Sequence, residues 1–214
     1  MIAVRLTIEW LCRIALNIYQ YGSIVYGTYT EGKSDKDFIV IVPDDMSYLN
    51  EQQLENNNEQ YTIYTKSTWQ EKLNQHDVDA IETYFLPEAM RIKETMTFHV
   101  EIDNRKIRES FSSTASNSWV KCKKKLTVEK DFAPRVGKKS LWHALRILDF
   151  GEQILMYGSI QYYDSMNHCY NEIVDDPSDD WEHFKKLYQP RYNALKTRFR
   201  LAEHARNLNS GNMS

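Results

Sequence analysis

The sequence is poor in cysteine and has no long apolar run. Its three cysteines, Cys12, Cys122 and Cys169, are widely separated and odd in number. That excludes a disulfide framework and any cysteine-based metal motif, and it points to a reducing compartment in which the thiols serve as small buried hydrophobes. No apolar stretch reaches the roughly 18 residues that a membrane span requires. The opening MIAVRLTIEWLCRIALNIY is interrupted by Arg5, Glu9 and Arg13 and lacks a small-residue cleavage site, so it reads as mature structure and not as a signal peptide. There is no internal repeat, and no linker long enough to force independent domains. A cytoplasmic protein without membrane contact is the expectation, and a hydrophobic fraction of 42% is enough for a real core.

The net charge of −3 conceals a segregation along the chain. Residues 1–103 carry 8 Lys/Arg against 17 Asp/Glu, residues 104–146 carry 12 against 3, and residues 147–214 carry 7 against 10. An acidic segment followed by a basic one suits a protein that must hold metal ions and polyphosphate together, and the basic 104–146 stretch leans towards an RNA or DNA partner. The KCKKK run at 121–125 is either a phosphate-backbone contact or a solvated helix face.

Hydrophobic spacing divides the chain into a mixed half and a helical half. Val4, Ile8, Leu11, Ala15 and Ile18 fall at alternating steps of four and three, which predicts an amphipathic helix over 4–18. The polar stretch TYTEGKSD reads as a loop, and the continuous apolar run DFIVIV (37–42) reads as a strand buried on both faces and stopped by Pro43. NEQQLENNNEQ (50–60) reads as an exposed connection and YTIYT (61–65) as a second strand. Helical patterning follows over 66–85, and TFHVEI (97–102) is either a strand or the lead into the next helix. From about Asn104 onward the periods are helical, with Gly158 a C-cap, DDPSDD (175–180) an acidic turn, and Pro190 a break or kink in the last helix. The expected architecture is α+β: a mixed sheet with helices over 1–103, a helical region over 104–209, and a disordered tail over 210–214.

The chemistry-bearing stretch is Y-G-S-I-V-Y-G-T-Y-T-E-G-K-S-D-K-D-F-I-V-I-V. Alternate residues of a strand share a face, so Asp35 and Asp37 project together and Lys36 points away. Two adjacent carboxylates repel unless a cation lies between them, and hard Mg²⁺ prefers such oxygen ligands. The Gly22-Ser23 turn offers backbone N–H groups and a hydroxyl suited to the terminal phosphates of a nucleoside triphosphate. Far downstream, Lys139, His143 and Arg146 fall at i, i+4 and i+7 on one helical face. They form either a cationic clamp for a triphosphate or a solvated basic stripe.

Taken together, the Gly-Ser turn followed by Asp-x-Asp at the head of a strand resembles the nucleotidyltransferase signature. Y-G-S-x-x-Y-G-T and S-D-x-D-F, with the 61–87 segment and the K-x-x-x-H-x-x-R helix within 137–160, resemble the RNA-repair-pathway type of the DNA polymerase beta superfamily, found in bacteria and phages. The resemblance covers most of residues 19–160. It implies a nucleotidyltransferase-like fold and transfer of a nucleoside monophosphate from a triphosphate to an acceptor hydroxyl, with release of pyrophosphate. It further implies Mg²⁺ on Asp35 and Asp37, and nucleotide binding by Gly22, Ser23, Ser34, Lys139, His143 and Arg146. The acceptor is not written in the sequence; the basic 104–146 stretch leans towards an RNA or DNA end, with a protein hydroxyl or small molecule as alternatives. Family members carry a third carboxylate at the start of the next strand, and here that position falls on Gln60, with Glu59 just before it. Gln cannot act as a general base. Glu59 takes the role only if the backbone is bulged there, because a one-residue shift reverses the facing. Glu101 and Asp103 are further candidates. Loss of the third acid leaves a second reading open, a nucleotide-binding or host-interaction protein with weakened catalysis. Tyr26, Tyr29, Tyr61, Tyr64 and Tyr84 are candidates for a base pocket, and Glu82 matches a family glutamate for which a surface or ion-pair role is expected.

Overall fold

The computed structural model describes residues 8–211. These divide into two compact units, one running up to Gln75 and including Asp79–Glu101, the other comprising His76–Val78 and the chain from Ile102 onward.

The first unit is built on a five-stranded mixed sheet of order β3-β4-β2-β1-β5. Its strands are β1 (Asn17–Tyr21), β2 (Lys36–Val42), β3 (Gln53–Asn56), β4 (Glu59–Thr65) and β5 (Arg91–Glu94). β2 and β4 run parallel and the other neighbours antiparallel. β2 is central, and Ile39, Val40, Ile41 and Val42 are buried on both of its faces, which is why its sequence is a continuous apolar run rather than an alternation. On one face, Ile18, Phe38, Val40, Val42, Tyr61 and Ile63 form a core with Leu11 and Ala15. The opposite face therefore carries Tyr21, Asp37 and Gln60, and Trp69 of helix α2 (Lys66–Gln75) lies against Tyr64 there.

Several sequence expectations need correction. Helix α1 is described over Ile8–Ile14, so it ends before the expected 18, and residues 4–7 lie outside the described residues. From Asn17 the chain is strand β1, because pairing with both β2 and β5 outweighs a local helical period. The exposed connection at 50–60 contains β3, which folds back on β4 through Asn57 and Asn58, both at positive φ (48° and 64°). Two successive left-handed residues make the tight turn whose twist matches a hairpin, and Asn tolerates that conformation. The helical stretch over 66–85 is two helices, α2 and α3 (Val78–Tyr84), separated at His76 with φ 62°. TFHVEI is irregular.

The second unit is helical: α4 (Asn104–Thr127), α5 (Pro134–Tyr157), the short α6 (Tyr170–Val174) and α7 (Trp181–Gly211). Asp103 caps α4 by accepting from the Arg105 and Lys106 amides, so it is committed to structure and not to catalysis. Gly158, at φ 81°, ends α5 as expected. The acidic turn likewise has structural work: Asp180 accepts from the Glu182 and His183 amides at the start of α7, and Asp179 pairs with the buried Lys138 at 2.8 Å. α7 continues through Pro190 and reaches Gly211, while residues 212–214 of the expected tail lie outside the described residues.

Where α5 meets α7, a β-carbon added at Gly151 would lie 2.5 Å from Cζ of the fully buried Phe199. Gly151→Ala is therefore expected to overpack this crossing and to lower stability by about 1–3 kcal/mol, read as an earlier urea midpoint at unchanged slope.

Candidate active site

The site is assembled where β1 ends. Tyr21 pairs with Asp37 as the last pair of the β1–β2 ladder, and the chain then turns through the 3₁₀ segment Gly22–Ile24. Gly22 has φ 69°, a region that disfavours side chains. It also has no room for one: a β-carbon there would lie 2.0 Å from Asp37 Oδ2. The missing side chain thus lets the Asp37 carboxylate rest directly on the turn. Ser23 Oγ donates to the Asp35 carbonyl at 3.5 Å, so the backbone of the other aspartate also borders the turn. Asp35 is exposed and Asp37 half-buried. Ser34 closes the intervening loop, its Oγ accepting from the Thr30 amide at 3.2 Å.

The turn is held from behind by a residue expected on a surface. Glu82 of α3 is fully buried, and its Oε2 accepts from the Tyr26 hydroxyl at 2.5 Å and the Tyr21 hydroxyl at 3.0 Å. Those two tyrosines bracket Gly22–Val25, and their rings meet edge-to-face at 6.0 Å. No local pattern announces this cluster, because its partners lie 56 and 61 residues apart in sequence.

The β2–β4 register is continuous, pairing Lys36 with Glu59 and Asp37 with Gln60. With no bulge, the condition for Glu59 to replace the third acid is not met. Glu59 faces the side of Tyr61, whose hydroxyl donates to it at 2.6 Å, and Gln60 stands beside Asp37. The next residue in that row is Glu55 on β3, two strands from Asp37 and so about 10 Å away. Asp35, Glu55, Glu59 and Gln60 border a cleft of about 240 Å³ at the hairpin. Among the described residues no group of three or more His, Cys, Asp or Glu side chains is placed to hold a metal ion.

Two carboxylates are nevertheless enough for the hard ion expected here, because Mg²⁺ is commonly bound by one or two protein carboxylates with substrate phosphates and water completing its shell. The feature of this chain that fits an ion arriving with a triphosphate is the half-buried Asp37 carboxylate, its Oδ2 resting on the Gly22 turn with Asp35 exposed two residues before it.

Of the tyrosines considered for a base pocket, Tyr61 stacks on Phe38 in the core and Tyr64 donates to Asp79. Tyr84 instead borders a cleft of about 350 Å³ with Tyr19, Trp69, Arg91 and Phe98.

Within the helical unit, Lys139, His143 and Arg146 do not form a solvated stripe. Arg146 is 1% exposed, its guanidinium 5.3 Å from the Trp142 ring centre and 4.8 Å from that of Phe150. These rings stand four residues before and after it, a spacing that marks a cation packed along its own helix. His143 shares a hydrogen bond with Ser118 at 3.0 Å. Burial, reinforced by the Arg146 and Lys121 charges, pushes its pKa from 6.5 down to about 3, so it is neutral at physiological pH. Lys139 is half-buried, while Lys121, Lys123 and Lys124 of α4 are exposed.

Residues 7–102 match the family model described as nucleotidyltransferase domain, which supports nucleotidyl transfer as the general chemistry. Among solved structures, a nucleotidyltransferase-like protein from Exiguobacterium sibiricum 255-15 is similar at 11% identity and a TM-score of 0.28, with 95% of this chain and 74% of that one covered. No curated protein matches. No helix among the described residues is long and apolar enough to cross a membrane.

Two outcomes follow from the geometry. Gly22→Ala is expected to destabilise the first unit by about 1–3 kcal/mol, combining a left-handed backbone with displacement of the Asp37 carboxylate, and urea denaturation measures it. For His143, the folded pKa lies below the unfolded value, so its contribution to stability is present above pH 6.5 and is lost as pH falls towards 3. The slope is about 1.4 kcal/mol per pH unit in that window, and it is expected to flatten by that amount in His143→Gln when the two proteins' denaturation curves are compared between pH 7 and about pH 4.

Proposed function

We propose that this chain transfers a nucleoside monophosphate from a triphosphate to an acceptor hydroxyl and releases pyrophosphate. The observation that carries the reading is the contact between the side-chain-free Gly22 turn and the Asp37 carboxylate, on a domain that matches the nucleotidyltransferase family. In this reading Asp35 and Asp37 hold Mg²⁺, and Gly22, Ser23 and Ser34 take the terminal phosphates. When bound, the ion supplies Lewis-acid polarisation of the α-phosphate. The protein's own part is to hold the triphosphate against the turn and to keep two acidic side chains directed at its reacting end. Arg146 is withdrawn from solvent inside the helical unit and His143 is neutral there, so this reading assigns neither of them a phosphate contact. The acceptor we favour is an RNA or DNA end, on the strength of the exposed lysines of α4.

A second reading is favoured by one specific observation. Gln60 occupies the register position beside Asp37, where the family places the third acid. A protein so built binds the triphosphate and turns it over slowly or not at all.

One experiment separates the two. The protein is incubated with Mg²⁺ and each labelled triphosphate, with and without RNA, and both binding and pyrophosphate are measured. Pyrophosphate release supports transfer, and binding alone supports the second reading. Asp35→Asn with Asp37→Asn is expected to abolish Mg²⁺-dependent triphosphate binding while stability is unchanged or raised, since two mutually repelling carboxylates are removed. Unchanged affinity in that double variant would place the triphosphate elsewhere.

A further inference from the structure

We infer that Glu82 is a positioning residue: its carboxyl oxygen fixes the Gly22-Ser23 turn in its phosphate-accepting shape by gripping the tyrosines on either side of it. The inference rests on the reading of that turn as the triphosphate site, and it adds a residue to which that reading assigns no role.

Within the turn the bonds are short-range and mostly backbone, the Gly27 amide donating to the Ile24 carbonyl at 3.2 Å among them. Val25 and Tyr26 both direct their amides at the Gly22 carbonyl, the latter at 3.2 Å, and the Thr28 amide donates to the Ser23 carbonyl at 2.9 Å. Gly22 and Gly27 both have φ 69°, and glycine is the residue with the most conformational freedom to lose. A loop of this kind is rigid only if something outside it restrains its ends. Tyr21 is the last residue before the turn, Tyr26 the first residue after Val25, and both hydroxyls donate to the same oxygen, Glu82 Oε2. One atom on a different element, α3, therefore ties the entry of the turn to its exit.

Burial makes the tie strong. Glu82 is 0% and Tyr26 6% exposed. Hydrogen bonds to a carboxyl oxygen withdrawn from water are stronger than those at a surface, and losing one leaves a buried polar group uncompensated. A merely space-filling side chain would need only size and an apolar surface. Glu82 supplies an acceptor, aimed at two donors separated by the turn it restrains. The consequence reaches Asp37, because the carboxylate resting on Gly22 keeps its place only while Gly22 keeps its own.

The test uses Tyr26→Phe, which deletes one hydroxyl and leaves the ring, together with Glu82→Leu and the conservative Glu82→Gln, which retains an acceptor oxygen. Amide hydrogen exchange is read at Val25, Tyr26 and Thr28 and, as an internal control, in β2 and β4; affinity for ATP with Mg²⁺ is measured on the same proteins. In Tyr26→Phe and Glu82→Leu, turn exchange is expected to rise about tenfold or more with strand exchange unchanged, and ATP affinity to fall by about tenfold, the scale of one lost bond to a carboxyl group. Glu82→Gln is expected to restore both to within a few fold. If Glu82→Leu does not fold, Tyr26→Phe carries the comparison. Unchanged turn exchange overturns the inference, as does a rise shared equally by the strands. A looser turn with undiminished ATP affinity also overturns it, and the Asp35→Asn/Asp37→Asn protein measured alongside then shows whether the triphosphate reading itself still stands. A wild-type protein that binds no ATP or other triphosphate overturns that reading and the positioning role together.

Discussion

The approach of the Asp37 carboxylate to the Gly22 turn is the contact on which the arrangement of the candidate site depends. It requires three independent features at once. The β1–β2 ladder must end on the Tyr21–Asp37 pair, residue 22 must lack a β-carbon, and the backbone there must be left-handed. A side chain at 22 would meet Asp37 Oδ2 at 2.0 Å, far inside van der Waals contact, so no rotamer adjustment of a few tenths of an ångström relieves it. The burial of β2 on both faces makes the contact rigid. With Ile39 to Val42 nearly inaccessible, the strand cannot slide or rotate to withdraw the aspartate.

The two units treat charge in different ways. In the first, Asp35 is exposed, Asp37 half-buried, and Glu82 buried with two hydroxyl donors. In the second, cations are taken inside. Lys138 is buried against the Asp176 carbonyl and Asp179, and Arg146 lies between aromatic rings of its own helix. Guanidinium is less strongly hydrated than ammonium and stacks on ring faces, which favours its withdrawal from water against Trp142 and Phe150. The charge on Arg146 also acts on its neighbour one turn away, helping to hold His143 neutral. Of the basic 104–146 stretch, Lys138 and Arg146 are thus taken inside, while Lys121, Lys123 and Lys124 stay exposed.

What could be read from the sequence was what depends on local pattern. The apolar run after Asp37 announced a central strand, and Gly158 announced a helix end. What could not be read depended on pairing at a distance. NIYQY continues the helical period of the residues before it, and only hydrogen bonding to β2 and β5 makes it a strand. QLEN is polar because β3 is an edge strand with little buried on either face. The burial of Arg146 did have a local sign, Trp142 and Phe150 at four residues on either side. For Glu82 there was none, since its tyrosines come from another part of the chain.

The position of Gln60 is a consequence of packing, and it constrains the chemistry. Parity along β4 is fixed by Tyr61 and Ile63, which are 5% and 0% exposed on the α1 face, with Tyr61 stacked on Phe38 at 4.7 Å. Shifting the strand by one residue to bring Glu59 beside Asp37 would turn both side chains out of the core, at a cost of about 1.5–3 kcal/mol for each. No such slip is available to a small domain whose whole stability is about 5–15 kcal/mol. The amide at 60 is therefore locked into the row occupied by Asp37. An amide can orient an acceptor hydroxyl by hydrogen bonding, but it cannot take its proton.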